Sequence, residues 1–366
     1  MSDAPAPVRF HEGLERVPEG EAEAISGIIA SMTHASEITT ERYGHCVRAS
    51  HAKISGVVVG QIEILPGLPL ELAQGLFANP GSHPVVVRFA QGPGELLSDQ
   101  VSTHRGMAIK VFGVKGEKLP GHEGNLTQDF VFATGPVFPD PDAAGFLGSM
   151  KQIEAGMRVP QGFKVAASRG ARAADLLVKT FMGKSLAKLD FFGHAPLHPL
   201  AEPYYSQAAL RYGDHVGKIA AFPVAPGQVA LAEQELDPGE DENVFRHAVI
   251  AYFGEQDAVF DIRVQLCLDV DRMPIEDASK EWSVDLSPYR TVARLVLPKQ
   301  DGLSEARRTY ADDSLAFSPA HGLAAHRPLG SLMRARLAVY PALSRIRRKT
   351  NGIAGSEPRS VDEIPA

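Results

Sequence analysis

Eight segments of alternating, β-branched-rich sequence constrain this chain more than any other feature. The first, residues 51–65 (HAKISGVVVGQIEIL), has the period of two that a half-buried strand requires. Residues 84–90, 106–112 and 127–133 repeat the pattern, and a second group follows at 204–213, 217–223, 257–268 and 290–297. Clusters of Gly, Pro and Asp separate the segments, as turns between antiparallel neighbours require. Apolar spacings of three and four predict helices over 140–157 and 170–190, near 243–253, and over 329–349, the last one basic and amphipathic. Strands and helices do not alternate, which argues against a doubly wound sheet. The expected class is α+β, an eight-stranded antiparallel barrel with peripheral and C-terminal helices. One domain over 21–350 is expected, between a flexible Pro/Glu-rich arm (1–20) and a flexible polar tail (351–366).

Charge and cysteine content remove several function classes. With 37 basic and 44 acidic residues the net charge is −7, the wrong balance for a general nucleic-acid binder. Two cysteines, Cys46 and Cys267, exclude a disulfide scaffold and a four-cysteine zinc site. The N-terminus lacks a cationic, apolar leader and no stretch approaches the roughly 20 apolar residues of a membrane span, so a cytoplasmic location is expected. GxSxG, Walker, HExxH and Rossmann motifs are all missing, and the 13 histidines show no zinc spacing.

What remains is a set of polar residues at strand starts and turns. His51 heads the first strand, Asn125 precedes the fourth, and Arg336 and Tyr340 stand four apart on one face of the last helix. Each has a bland explanation when taken singly: a hydrogen-bonded structural histidine, a turn asparagine, and a core tyrosine with an arginine snorkelling past it.

In order along the chain they form a pattern. Arg48-Ala49-Ser50-His51-Ala52-Lys53 resembles the distal signature of the haem catalases, Arg-x-x-His-Ala-Lys. Val87-Arg88-Phe89 with Arg105-Gly106-Met107-Ala108-Ile109-Lys110 resembles their second block. Gly124-Asn125, Phe130 and Phe138-Pro139 follow as a third. Arg336-Leu337-Ala338-Val339-Tyr340-Pro341, with Arg345 and Arg347 beyond, resembles the proximal signature. Four ordered blocks between residues 48 and 347 make the chain similar to the catalase superfamily, in its small catalase-related branch.

The resemblance implies roles. Tyr340 is the expected proximal ligand of the iron of haem b, held as a phenolate by Arg336 one helical turn away. Arg48, Arg88 and Arg347 are expected on the haem propionates, and Phe130 and Phe138 near the haem face. His51 is expected to move the proton during heterolysis of a bound peroxide, and Asn125 to orient it.

Three positions depart from the family pattern: Ser50 where catalases carry Val, Ala90 where they carry Ser, and Ser344 where they carry His. The expected function is a peroxidase with at most weak catalase activity, consuming hydrogen peroxide or a lipid hydroperoxide with an organic reductant. Ser50 resembles the hydroxyl residue of the branch that rearranges fatty-acid hydroperoxides, giving an allene oxide synthase-like alternative in which that hydroxyl holds the imidazole. A non-catalytic haem-binding protein is the second alternative. The basic run Arg334–Lys349 is explained by haem contacts and the helix C-terminus, so no nucleic-acid partner and no membrane association are expected. A homodimer or homotetramer is the expected assembly. Trp282, the only tryptophan, reads as a packing anchor.

Overall fold

The alternating segments become nine strands: β1 (Ile54–Ile64), β2 (Gly81–Gln91), β3 (Arg105–Phe112), β4 (Thr127–Thr134), β5 (Tyr204–Tyr205), β6 (Leu210–Tyr212), β7 (His215–Pro223), β8 (Ala258–Leu266) and β9 (Arg290–Leu297). The computed structural model describes residues 6–183, 185–354 and 357–366. All pairings are antiparallel, in the order β5-β4-β3-β2-β1-β9-β8-β7-β6, and β5 also pairs with β7. That last pairing closes eight strands into a barrel, with β6 outside the ring as a hairpin on β7. The expected α+β barrel is therefore the observed one.

Period-two side chains fill its interior: Val58 and Ile62 from β1, Val85, Val87 and Phe89 from β2, Ile109 and Val111 from β3. All of these are fully buried. The segment expected as one strand over 204–213 is broken, because Gln207 takes a left-handed backbone (φ 61°) and turns the chain out after two residues. Closure thus rests on two residue pairs on each side: Ala133 and Thr134 opposite Tyr205 and Tyr204, and these opposite Ala220 and Ala221.

The helices are α1 (Glu21–Tyr43), α2 (Ala143–Gly156), α3 (Gln161–Met182), α4 (Ala187–Gly193), α5 (Pro226–Val229), α6 (Val244–Glu255), α7 (Glu305–Asp313) and α8 (Ser331–Thr350). The helix expected over 170–190 is two, split where Gly183 caps α3 in the left-handed conformation (φ 72°). α1 packs on α2 and α8, where Ile28 and Met32 meet Ala335 and Val339. A leucine of α2 lies so close to Gly27 that a side chain there would collide with it.

Both ends differ from the loose segments expected. Val8 N–H donates to the Cys267 carbonyl and Phe10 N–H to that of Asp214, both at 2.8 Å. Arg327 binds Glu12 and Glu15, and Arg334 binds Glu15, Glu21 and Glu276. At the other end Arg307 Nε donates to the Pro365 carbonyl (2.9 Å), and Ile364 is buried beside Leu303 and Ala311. The basic pattern in the chain thus staples its own acidic arm. Residues 1–5 and 355–356 lie outside the described residues. Trp282 is buried with Cys267 and Met273 and donates to the Pro274 carbonyl (3.1 Å), as a packing anchor does. Among the described residues no helix is long and apolar enough to cross a membrane.

Candidate functional site

His51 sits where the chain turns into β1. Its backbone is left-handed (φ 54°), which costs a non-glycine residue about 1–3 kcal/mol and persists only where surrounding contacts impose it. Those contacts are present: His51 N–H donates to the Gly92 carbonyl (2.8 Å) and Ala52 N–H to that of Pro93 (2.9 Å). Gly106 of β3 lies under the imidazole, so close that a Cβ there would fall 2.5 Å from Nδ1. Only glycine admits the ring. Nδ1 itself is buried and has no hydrogen-bond partner. Burial, with the nearby charges of His104, Arg88 and Arg336, holds the imidazole pKa well below its usual 6.5. His51 is therefore neutral at pH 7.

Among the described residues no hydrogen bond joins Ser50 to that imidazole; its hydroxyl donates instead to the Gly92 carbonyl (3.3 Å). The expected hydrogen bond from Ser50 to the imidazole is corrected accordingly.

Three arginines converge at another wall. Arg88 of β2 donates from Nη2 to the carbonyls of His51 (2.7 Å) and Ala52 (3.3 Å), while its Nε has no partner. Arg48 donates to the Ala311 and Leu315 carbonyls (2.6 Å each) and lies 3.3 Å from Asp312. Arg347 of α8 is buried, with Nε and Nη2 unpartnered among the described residues. Burial pushes Arg48 down to about 9, with repulsion from Arg88 adding to it, and Arg347 down to about 9, with repulsion from Arg48 and Arg348 adding to it; burial pushes Arg88 down to about 10, with Arg347 opposing its charge. Orphaned, mutually repelling guanidinium groups are an anion site by construction.

On α8, Arg336 Nη2 donates to the Tyr340 hydroxyl (2.7 Å), with its guanidinium 5.0 Å from the ring centre. The i,i+4 spacing read from the sequence delivers this contact. Pro341 follows within the helix and offers no N–H, so the helix loses one rung one turn below Tyr340, at the Leu337 carbonyl.

These groups surround one cavity of about 480 Å³, within the usual range of a small-molecule or cofactor site. His51, Ser50, Arg48, Arg88, Phe138, Arg336, Tyr340, Arg347 and Ser344 all line it, and its walls are otherwise mostly apolar. Phe138 stacks edge-on against Phe146 (5.2 Å between ring centres).

Two expected site residues are elsewhere. Asn125 is at the far end of β4: the cavity takes Val131, Phe132 and Ala133, and strand geometry sets Asn125 about 20 Å back along the chain. Phe130 packs in the barrel core, stacked on Phe77 and on Phe132 (6.0 Å), and Phe132 takes the lining position. Period two puts both rings inside the barrel, and only the one nearer its end reaches the cavity.

Sequence reasoning passed over His104 and Gln207. His104 immediately precedes the Arg105-Gly106 block, which was the available signal. Its ring lies face-on to Phe191 at 3.9 Å and edge-on to His51 at 5.5 Å, and burial lowers its pKa to about 4. Gln207 spends its amide N–H groups on the carbonyls of Thr134, Gly135 and Val137, so it has none to offer into the cavity.

Three solved structures share this arrangement of strands and helices. A fungal catalase matches with TM-score 0.58 and 18% identity over 85% of this chain. Catalase A from Saccharomyces cerevisiae gives 0.56 and 15% over 95%, and a bacterial catalase 0.54 and 15% over 95%. The fold is catalase-like. The chain spans 61% of the fungal catalase, 68% of the yeast catalase A and 64% of the bacterial one. No family model matches the sequence, and no curated protein matches it.

Proposed function

We propose that this catalase-like chain is a haem-dependent oxidoreductase that consumes hydroperoxides, working as a peroxidase. One observation carries the reading: the Tyr340–Arg336 pair, the three-arginine wall and neutral His51 all face the same apolar cavity. The residues present fit a haem. Arg88 Nε and Arg347 Nε and Nη2 are buried without acceptors, which the two propionates of haem b would supply. Tyr340 would hold the iron through its phenolate oxygen, with Arg336 stabilising that oxygen by charge and by the hydrogen bond already formed. Phe132, Phe138 and Phe146 would line the macrocycle's surroundings and keep water out.

When bound, the iron supplies the redox chemistry that breaks an O–O bond and passes the oxidising equivalents to a donor. The chain's own residues handle the proton. A neutral His51 has a lone pair for the proton of an incoming hydroperoxide. With Nδ1 unpartnered, no protein hydrogen bond pins the tautomer, so the proton can be released to the departing oxygen from the nitrogen that received it. Of the amides considered for orienting the peroxide, Gln207 is committed to backbone carbonyls and Asn125 does not line the cavity. Loss of that orienting group favours peroxidase turnover over rapid dismutation of hydrogen peroxide. Ser50, which suggested an isomerase, is committed to the Gly92 carbonyl and leaves that alternative without support.

The test is an absorption spectrum of the purified protein, as isolated and after adding haem, followed by hydrogen peroxide or cumene hydroperoxide with a dye donor. A Soret band that Tyr340→Phe abolishes or shifts, with dye oxidation that His51→Ala slows, is the expected result. Failure of the parent protein to take up haem overturns the reading.

A further inference from the structure

α3 is built inside out. Its only buried side chains are the polar Ser168 and Asp175, while Phe163, Leu177 and Phe181 stand 70%, 61% and 85% exposed, and Leu176 and Met182 are exposed on its other faces. At 100° per residue these three fall on one stripe, with Gly170, Ala173 and Ala174 between them. A surface helix normally turns such a stripe inward. Among the described residues nothing covers it.

The stripe adjoins the cavity mouth. Of the residues lining the cavity, only Gln152, Ala167 and Phe192 are exposed, and they belong to α2, α3 and α4 respectively. The opening therefore lies among these three helices, beside Phe163.

Charge selects the occupant. Residues 158–188 hold seven Lys or Arg and one Asp, a net +6, in a chain whose total is −7. Lys164, Arg172 and Lys188 are paired with Glu95, Glu235 and Asp140. Arg158, Arg169 and Lys179 are exposed and have no ion pair among the described residues. A second copy of the chain is a poor cover. Twenty-two residues give a stripe about 33 Å long and roughly 10 Å wide, near 330 Å², against about 800 Å² per partner in a stable dimer. It would also oppose two cationic segments. At 100° per residue Arg169 lies to one side of the apolar stripe and Lys179 behind it, and an apolar face with Lys and Arg on the rest of the helix is the pattern of a helix lying in the interface of an anionic bilayer.

We propose that α3, with the adjoining ends of α2 and α4, is a peripheral docking surface for an anionic lipid bilayer that presents the cavity mouth to the membrane. Rather than the expected absence of membrane contact, this makes the protein surface-bound without any spanning helix. Resting on the hydroperoxidase reading, it assigns the substrate to molecules that partition into the bilayer and reach the cavity without crossing water.

Vesicle flotation with the full chain tests it, using phosphatidylcholine vesicles with and without phosphatidylglycerol, at low and raised salt. This readout needs neither haem nor peroxide, so its failure is distinct from failure of the haem assignment. Expected is flotation with the anionic vesicles only, weakened by salt, and reduced about tenfold or more by Phe163→Ser/Phe181→Ser and by Arg169→Glu/Lys179→Glu. Unchanged circular dichroism of both variants establishes that they fold. No flotation of the parent, or flotation indifferent to both variants, overturns the proposal. So does a parent dimer that Phe163→Ser/Phe181→Ser converts to monomer while the parent binds no lipid.

Discussion

Replacing Arg347 with methionine should move stability and cofactor affinity in opposite directions. In the folded chain without a cofactor, the guanidinium is buried against Arg48 with two nitrogens unpartnered, and its pKa falls from 12.5 to about 9. A base whose folded pKa lies below its unfolded one destabilises the fold wherever it is charged. The cost is full below pH 9 and vanishes only as pH passes 12.5. A stabilisation of about 1–4 kcal/mol is expected on replacing such a cation with an isosteric apolar residue. Loss of a charge-assisted bond to a propionate should cost about 1.5–3 kcal/mol of haem binding, roughly 10- to 150-fold in affinity. Urea unfolding of the haem-free proteins, with haem transfer to apomyoglobin, measures the two quantities. An Arg347→Met protein that is less stable without haem and binds haem as tightly as the parent would falsify the reasoning, because Arg347 would then be an ordinary structural cation.

Gly106→Ala places a Cβ against His51 Nδ1, so it should cost about 1–3 kcal/mol by overpacking and slow the peroxide reaction while leaving haem uptake intact; urea unfolding and stopped-flow absorbance read the two effects. Because the imidazole is held well below 6.5, the rate of reaction with peroxide should be flat from pH 6 to 8 and fall only in acid, where His51 gains a proton; a rate that drops by half near pH 6.5 would sink this. Asn125→Ala should leave that rate within about twofold of the parent, since the residue lies outside the cavity. Asp129→Asn removes the buried partner of Lys110 (2.8 Å) and should cost about 3–5 kcal/mol in urea unfolding.

Period-two alternation made the barrel legible, because strands with one face in a core must alternate. It failed at 204–213, where a single left-handed residue, Gln207, breaks a segment whose composition still reads as strand. α1 escaped notice because its Ser- and Thr-rich sequence has a weak apolar stripe; its partners, α2 and α8, lie more than 100 residues away. The Arg336–Tyr340 contact could be read directly, since both ends lie on one helix. The Asn125 and Phe130 assignments failed for the opposite reason. Order along the chain says which blocks are present, whereas strand direction decides which end of β4 meets the cavity. His104 and the empty place around His51 Nδ1 depend on the packing of β2, β3 and α4, which no local pattern encodes.

The ring of strands is mechanically unequal. Elsewhere each strand is held by a ladder of four to ten residue pairs, whereas at Tyr204–Tyr205 two pairs on each side complete the circle. Local opening favours the shortest ladder, so amide exchange is expected to be fastest at this seam of the ring. The residues just past it, Ser206 and Gln207, line the cavity. Amide exchange at Tyr204 and Tyr205 is therefore expected to slow when the cavity is filled, a readout of occupancy separate from the redox chemistry.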